Sequence, residues 1–402
     1  MSLTVRPASA GMVGEFRNVL GRTFGWDMAE ERQAAFLSTW EPERSFCAFD
    51  GATMVGTSGA YSLEMTVPGG VARVGGTTTV AVLPTHRRQG ALRMMMASHL
   101  DDVRQREEPL AALWASDSGI YGRFGYGMAT IQHELTIDPR HASFHRGSPP
   151  PVPVRISDPE PAHSLIPVIY EGLRRYRPGF IRRSQPWWEA RFFSDHSNQR
   201  GGATALRFAV AEDESGYMIY RQKSGWEDGH GTGEVRVIDL VASTPGGWAG
   251  LWRLALSHDL VTKVNASLRP PDDPLFELLA APRRAVGRIG DGVWVRLLDL
   301  PVALASRAYQ HDGRLLFRVN DPFLGRSEVV ELVVESGQGE ARLARAEPDI
   351  SLDIEDFSAA YLGLSRFQTL AALNRLEGEA AALRLADQMF TWSPQPWCPE
   401  IF

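Results

Sequence analysis

The residues of this chain best suited to chemistry are concentrated at positions 80–93, Val-Ala-Val-Leu-Pro-Thr-His-Arg-Arg-Gln-Gly-Ala-Leu-Arg. They predict a strand, an arginine-rich turn and the start of a helix. The N–H groups of a first helical turn lack internal partners and lie at the positive end of the helix dipole, so they bind phosphate. Gly90 lets the backbone approach a ligand, and Arg87, Arg88 and Arg93 add positive charge. The pattern therefore predicts an anion site. The alternative is an ordinary helix start with exposed arginines.

The spacing of glycines and charged residues excludes two common phosphate-binding motifs. No Gly-Lys-Ser/Thr follows the turn, so it is not a Walker loop, and the GxGxxG dinucleotide fingerprint is absent.

The elements that position this turn follow from hydrophobic spacing and turn signals. The predicted elements of the first region are a strand over 3–8, helices over 9–22 and 28–39, strands over 45–49, 53–66 and 72–82, a helix over 91–103, and strands over 110–115 and 128–137. A proline cluster at 146–155 is the best candidate for a linker.

A second region partly repeats the first. Its predicted elements are a strand over 154–156, helices over 160–175 and 185–193, and strands over 205–211, 217–222 and 235–241. Residues 243–250, Ser-Thr-Pro-Gly-Gly-Trp-Ala-Gly, again place proline and glycine between a strand and a helix, but without the arginines. We interpret this region as a diverged copy that does not bind the same anion.

Residues beyond about 300 have an α+β pattern. The predicted elements are strands over 314–319, 328–335, 340–344 and 349–354, and helices over 355–362 and 366–373.

Composition limits the possible functions. The chain has 402 residues, enough for two or three domains, and its net charge of −6 speaks against a nucleic-acid partner. Its two cysteines, Cys47 and Cys398, lack metal-ligand spacing, so neither a disulfide framework nor a metal site is expected. The sequence contains neither a signal-peptide pattern nor an apolar run long enough for a membrane span, and we expect a cytoplasmic protein.

Two motifs together resemble one family. The turn is similar to the R/Q-x-x-G-x-G/A pyrophosphate motif of GCN5-related N-acetyltransferases (GNAT); Arg87 and Gly90 match it, and Leu92 replaces the usual small residue. Residues 120–127, Ile-Tyr-Gly-Arg-Phe-Gly-Tyr-Gly, resemble the corresponding element of the Eis (enhanced intracellular survival) family within this group. The length, the diverged second region and the α+β tail also resemble that family.

The resemblance implies an α+β chain with two acetyltransferase folds in tandem and a sterol-carrier-protein-like domain. The expected domains are an active, cofactor-binding domain over 1–147, a degenerate copy over 148–298, and a C-terminal domain over 299–402 whose tail reaches the active site. The implied activity is acetyl transfer from acetyl-CoA, with coenzyme A as product, to amines of aminoglycosides, at several positions, or of lysine side chains. The implied assembly is a homo-oligomer, a hexamer.

The resemblance also assigns roles to residues. It implies that the cofactor is contacted by a strand, by the turn and by a later segment: Val80, Ala81, Val82, Arg87, Arg88, Gln89, Gly90, Ala91, Leu92, Arg93, Ser116 and Asp117. Tyr121 matches the general acid, and Phe402, the last residue, matches the general base through its free α-carboxylate.

The chemistry of amine acetylation is compatible with these groups. A tyrosine with a pKa near 10 can protonate a departing thiolate whose thiol has a pKa near 8.5. Tyr126 is a rival acid by sequence alone. A terminal carboxylate is a weak base with a reference pKa of about 3.5, so it needs a raised pKa, a water relay, or a role in orienting the ammonium group. The alternatives are a core tyrosine at 121 and a disordered terminus at 402.

Acids beside aromatic residues suggest where an amine acceptor binds. The candidates are Phe24, Trp26, Asp27, Phe36, Trp114 and Glu400. The alternative is an ordinary amphipathic helix over 28–39, with Phe36 in the core.

A second hypothesis for the whole chain is a non-catalytic protein that senses CoA or binds a lipid or a partner.

Overall fold

The structure is a computed structural model that describes residues 3–26 and 31–402. The chain forms two compact units. The first contains residues 1–130, 291–396 and 401–402, and the second contains residues 131–290 and 397–400.

The strands carry one numbering along the chain. They are β1 (Leu3–Pro7), β2 (Phe46–Asp50), β3 (Thr53–Val67), β4 (Gly70–Val82), β5 (Leu110–Trp114), β6 (Gly127–Met128), β7 (Ile131–Ile137), β8 (Val154–Ser157), β9 (Arg207–Ala211), β10 (Gly216–Lys223), β11 (Trp226–Glu227), β12 (His230–Gly231), β13 (Gly233–Ala242), β14 (Val261–Arg269), β15 (Ala285–Asp291), β16 (Val293–Leu297), β17 (Gly313–Asp321), β18 (Arg326–Glu335), β19 (Gln338–Leu343), β20 (Ile350–Asp353) and β21 (Leu376–Gly378).

The helices are numbered in the same way. They are α1 (Val13–Phe24), α2 (Glu31–Thr39), α3 (Ala91–Gln105), α4 (Ser118–Tyr121), α5 (Pro159–Arg174), α6 (Gln185–Arg191), α7 (Pro245–Leu256), α8 (Leu275–Leu278), α9 (Leu300–Ala305), α10 (Ile354–Ala360), α11 (Phe367–Ala372) and α12 (Ala380–Phe390).

The first unit contains a seven-stranded sheet in the order β1-β2-β3-β4-β5-β16-β6. Strand β4 pairs antiparallel with β3 and parallel with β5, and α3 makes the connection between β4 and β5. Helix α3 packs directly on β4: a Cβ at Gly75 would lie 2.5 Å from Cγ2 of Val103, so only glycine fits there. Burial of Met95, Met96 and Leu100, each 0% exposed, holds the helix on the sheet and contributes about 1.5–3 kcal/mol per side chain.

The second unit repeats this sheet. Its strands lie in the order β8-β9-β10-β13-β14-β7-β15, in which β13 and β14 are parallel and α7 connects β13 to β14. Strands β7 and β16 occupy equivalent places: β16 pairs with β5 in the first sheet, and β7 pairs with β14, the counterpart of β5, in the second sheet. The two sheets therefore exchange strands. Strand β7 follows β6 of the first sheet but lies in the second sheet, and β16 follows β15 of the second sheet but lies in the first sheet.

This exchange corrects the prediction of one strand over 128–137. The pairing breaks at Ala129 and Thr130, whose N–H groups both donate to the carbonyl oxygen of Val293, at 3.0 and 3.1 Å. The Thr130 hydroxyl in turn accepts from the Val293 N–H at 2.7 Å. The segment therefore divides into β6, in the first sheet, and β7, in the second.

The proline cluster at 146–155, predicted as a linker, lies inside the second unit.

The C-terminal part of the first unit is a five-stranded sheet, β19-β18-β17-β20-β21, covered by helices. Its interior is filled by aromatic rings: Phe317, Phe357, Phe367 and Phe390 have centroid separations of 4.9 to 6.4 Å. The strands and helices predicted between 314 and 373 are present, and α12 follows them although it was not predicted.

Cys47 and Cys398 are buried thiols that are not joined in a disulfide, and burial raises the pKa of the Cys47 thiol to about 12. Over the described residues, no helix combines the length and the apolar character that crossing a membrane would require.

Candidate active site

The pairing between the parallel strands β4 and β5 ends before β4 itself ends. Their ladder runs from Val74–Leu110 to Thr77–Leu113 and stops there, although β4 continues to Val82. A register shift in the pairing with β3 and a positive φ of 50° at Thr79 mark a bulge at this point. Beyond the bulge, the edge of β4 that faces β5 is not paired with it. An extended ligand with amide groups can pair with such an edge.

The predicted anion turn connects β4 to α3. Arg88 and Gly90 both adopt left-handed backbone conformations, with φ of 63° and 90°. Gly90 caps α3 without a side-chain acceptor, and no atom of the described structure lies within 4 Å of the place where its Cβ would be. The first-turn N–H groups of α3 are therefore open to an anion.

The polar side chains of the turn divide into two groups. His86 lies 3.5 Å from the carboxylate of Asp50, and Gln89 donates to the carbonyl oxygen of Thr85 at 3.2 Å, so both have local partners. Arg87, Arg88 and Arg93 are exposed. Within the described ranges, none of these arginines forms an ion pair with a carboxylate. The turn thus presents exposed positive charge.

A cleft of about 720 Å³ brings these features together. It includes every residue predicted to contact the cofactor except Gln89. Its lining is Thr23, Phe24, Val80, Ala81, Val82, His86, Arg87, Arg88, Gly90, Ala91, Leu92, Arg93, Ser116, Asp117, Ile120, Tyr121, Arg123 and Phe124.

Tyr121 closes one side of the cleft at the end of α4. The helix begins where the Asp117 carboxylate accepts the N–H of Gly119 at 3.0 Å. The Tyr121 side chain is only 4% exposed. Burial raises the pKa of Tyr121; a hydrogen bond with Ser116 partly offsets the rise, and the charge of Asp117 adds to it. The hydroxyl is therefore protonated at neutral pH and able to donate a proton.

Tyr126 occupies a different environment. It is 0% exposed and is not part of the cleft lining. Its hydroxyl lies 2.8 Å from that of Thr77, which in turn lies 2.6 Å from Nε2 of His99. Burial raises the pKa of Tyr126, and the hydrogen bond with Thr77 offsets this only in part. This is the geometry of a core tyrosine with a satisfied hydroxyl.

The last residue packs on the other face of the sheet. Cδ2 of Phe402 is 3.5 Å from where a Cβ of Gly76 would lie, and Phe402 is 6% exposed. Neighbouring strand residues face opposite ways. Thr77 contacts His99 of α3, so Gly76 and Phe402 lie on the face away from α3. Phe402 thus packs against β4.

Trp114 lies on the same face as Phe402. Ala111 and Leu113 pack in the cluster that contains α3, so the last residue of β5 points away from that helix. Its indole nitrogen is buried and has no hydrogen-bond partner among the residues that the structure describes. A buried donor without a partner is costly, which makes this nitrogen available to a ligand.

The remaining predicted acceptor residues are dispersed. Phe24 lines the cleft, and Trp26 is 37% exposed outside it. Phe36 packs with Phe16 and Trp40, at centroid distances of 6.3 and 5.7 Å, as the alternative interpretation expected. Asp27 lies outside the described residues.

Glu400 belongs to a buried polar network of the second unit and is absent from the cleft lining. Its carboxylate accepts from Nε of Arg183 at 2.8 Å and from the indole of Trp187. Arg183 also donates to Asp239 at 2.7 Å. The geometry indicates an anchor for the chain at residue 400.

The cleft also contains residues that the sequence did not indicate. Thr23, Ile120, Arg123 and Phe124 line it. The last three lie in the segment 120–127, which had been used only as a family motif. Its alternation of glycine with bulky residues could have indicated that their side chains surround a ligand.

The second unit lacks an equivalent open turn. At the start of α7, the Thr244 hydroxyl accepts the Gly247 N–H at 3.0 Å, and the Gly246 carbonyl oxygen accepts the Val152 N–H at 3.0 Å. A Cβ at Gly250 would collide with the carbonyl oxygen of Val152. The proline-rich segment therefore covers this turn of the second unit, which corresponds to the turn from Arg87 to Gly90 in the first unit.

Comparisons with known proteins match nearly the whole chain. An acetyltransferase (GNAT) domain model matches residues 4–129, and another model of the same description matches residues 179–297. A sterol carrier protein domain model matches residues 300–399.

Relatives extend this match. An uncharacterized N-acetyltransferase of Streptomyces avermitilis is 37% identical over 396 residues, which cover 96% of each chain. The N-acetyltransferase Eis of Mycobacterium tuberculosis is 35% identical over 350 residues, which cover 85% of this chain and 84% of that protein.

Solved structures agree with these relatives. Eis1 from Mycobacterium abscessus superposes over all of both chains with a TM-score of 0.84 and 27% identity. A GCN5-related N-acetyltransferase from Anabaena variabilis superposes with a TM-score of 0.87 at 19% identity, which shows a common fold.

Proposed function

The chain belongs to the Eis family of GCN5-related N-acetyltransferases, and we propose that it moves the acetyl group of acetyl-CoA to primary amines of polyamine-like acceptors. Aminoglycosides, acetylated at several positions, and lysine side chains are the acceptor classes we propose. The observation that carries the proposal is the single cleft in which the open edge of β4, the arginine turn and the Tyr121 hydroxyl meet.

The cleft fits the donor by its chemistry. The backbone of Val80, Ala81 and Val82 would pair with the amides of pantetheine, and the turn from Arg87 to Arg93 would hold the pyrophosphate. Ser116 and Asp117 would contact the same ligand from the opposite wall. The open first turn of α3 and the exposed arginines of the turn support this assignment. Bound there, acetyl-CoA supplies an activated thioester.

Tyr121 is the proposed general acid. Its hydroxyl keeps its proton because burial raises its pKa. It gives that proton to the sulfur of the departing coenzyme A, and the resulting tyrosinate takes up the second proton, which the amine nitrogen releases as the amide forms.

The α-carboxylate of Phe402 is the proposed base. Alkylamines arrive as ammonium ions at neutral pH, so one proton must leave before attack. The carboxylate attracts the ammonium group, orients it and takes its proton, directly or through a water. Tyr121 packs with α3, and Phe402 lies on the opposite face of the sheet. The opening between β4 and β5 supports an arrangement in which donor and amine approach from opposite faces.

Phe24 and Trp114 are the acceptor contacts that the geometry supports best. Phe24 lines the cleft, and the buried indole nitrogen of Trp114 offers a donor on the Phe402 face. Phe36 and Glu400 support the site through packing and anchoring rather than through contact.

We also propose three functional parts, 1–147, 148–298 and 299–402, and a homo-oligomeric assembly, a hexamer, which a measurement of its mass in solution tests. The three matched ranges support the division.

An acceptor screen tests the function. Purified protein is incubated with acetyl-CoA and a panel of aminoglycosides, polyamines and lysine peptides, and products are analysed by mass spectrometry. We expect mass increases of one or more acetyl groups with matching release of coenzyme A. Tight binding of acetyl-CoA by calorimetry without any acetylated amine would instead favour a CoA-sensing protein.

A further inference from the structure

Arg93, which lines the cleft, lies over an aromatic ring of the C-terminal part of the first unit. The guanidinium carbon of Arg93 lies 4.9 Å from the ring centroid of Phe323. Phe323 belongs to the turn between β17 and β18, far from α3 in sequence. The same ring meets Phe124 edge to face, with centroids 5.0 Å apart and planes at 87°. Phe323 thus contacts two residues of the cleft lining.

The turn that carries Phe323 is fixed independently of Arg93. The carboxylate of Asp321 accepts from Arg296 of β16 at 2.6 Å and from the N–H of Leu324 at 3.1 Å. Arg326, at the other end of the turn, donates to the carbonyl oxygen of Leu298 at 2.8 Å. Arg296 is 0% exposed, so this anchor is buried. The turn that carries the Phe323 ring is therefore anchored on both sides of that residue.

We infer that Phe323 is a positioning residue for the donor: its ring holds the Arg93 guanidinium over the first turn of α3, ready for a phosphate of coenzyme A. This inference rests on the proposed function. A free arginine side chain samples many rotamers, and ordering it on binding costs free energy. A ring beneath a guanidinium attracts it and leaves its N–H groups free for a phosphate. The C-terminal part thereby takes part in donor binding.

The test compares donors with and without phosphates. Steady-state constants are measured for acetyl-CoA and for S-acetylpantetheine with the wild type, Phe323→Leu and Phe323→Tyr. Leucine keeps an apolar contact with Phe124 but lacks the ring face, whereas tyrosine restores that face. Phe276→Leu, in the second unit, is the matched control.

We expect Phe323→Leu to raise KM for acetyl-CoA about three- to tenfold, to leave kcat unchanged and to leave KM for S-acetylpantetheine unchanged. Phe323→Tyr should behave as the wild type. An equal rise of KM for both donors, a fall in kcat alone, or failure of tyrosine to restore KM would overturn the inference.

Arg93→Ala separates this inference from the proposed function. If Arg93→Ala raises KM for acetyl-CoA and Phe323→Leu adds nothing further in that background, the two residues act together. If Arg93→Ala raises KM but Phe323→Leu alone does not, only the role of Phe323 fails. If Arg93→Ala leaves KM unchanged, the donor assignment of the turn itself is wrong at this position.

Discussion

Tyr121 and Tyr126 pack edge to face, with ring centroids 6.1 Å apart and planes at 74°. Their hydroxyl groups nevertheless meet different surroundings. Tyr121 lines the cleft beside the arginine turn, whereas the Tyr126 hydroxyl is engaged with Thr77 in the core. Of these two neighbouring phenols, one lines the cleft and the other is hydrogen-bonded in the core.

The arginine turn should control donor affinity. Replacing Arg87 and Arg88 together with alanine removes charge-assisted contacts to phosphate and should raise KM for acetyl-CoA by about tenfold or more. The effect should shrink as salt is added, because ions screen exposed charges. Arg288→Ala, on the exposed part of β15, is the control. Unchanged KM at low salt would be incompatible with a phosphate site at this turn.

The chain terminus should be needed for turnover. A glycine added after Phe402 moves the carboxylate to a new residue, and we expect kcat to fall about 100-fold, the scale of a lost acid–base group. The same glycine added at the N-terminus should have no effect. Steady-state rates of coenzyme A release measure both. Full activity of the extended chain would rule out the α-carboxylate as base.

His99 should make the first unit sensitive to acid. Burial, with a smaller effect of Arg44, lowers the pKa of this 0% exposed histidine to about 3. Its depressed pKa means that stability is full above about pH 6.5 and is lost as pH falls towards 3, because only the unfolded chain takes up the proton.

Lowering the pH from 6.5 to 5 should therefore reduce the free energy of unfolding by about 2 kcal/mol. His99→Gln can still accept a hydrogen bond from Thr77 but does not titrate, so its stability should fall less. Denaturant unfolding at the two pH values measures the difference. Parallel losses in both proteins would show that His99 does not cause the acid sensitivity.

Glu400 should anchor the tail. Glu400→Gln removes the negative charge from a network in which Arg183 is fully buried, and we expect the second unit to lose on the order of 3 kcal/mol. Glu347→Gln is a matched change at a carboxylate that is 98% exposed, and it should change stability by less than about 0.5 kcal/mol. Equal stabilities of the two variants would contradict the anchoring role.

Local patterns predicted the strand, turn and helix start that line one side of the cleft. Residues 80–93 contain the strand, turn and helix start in one continuous segment, so their contacts depend little on the rest of the chain. Turn chemistry and helix polarity suffice to predict such a site. Helix α12 could also have been predicted, because Ala380–Phe390 is rich in alanine and leucine.

Other features depend on pairing between distant residues. The apolar alternation at 128–137 predicts a strand but cannot indicate that Val293 takes the hydrogen bonds of Ala129 and Thr130. Phe36 could equally face a ligand or the core until Phe16 and Trp40 are placed beside it. Glu400 resembled a substrate contact because its partner, Arg183, is distant in sequence.

The central claim is that Tyr121, and not Tyr126, donates the proton during amine acetylation. The direct measurement is the rate of acetylated-amine formation, followed by mass spectrometry at saturating acetyl-CoA and amine, for the wild type, Tyr121→Phe and Tyr126→Phe. We predict that Tyr121→Phe lowers kcat about 100-fold or more, whereas Tyr126→Phe keeps kcat and loses about 1 kcal/mol of stability. A wild-type rate in Tyr121→Phe, or an equal loss of rate in both variants, would contradict the account.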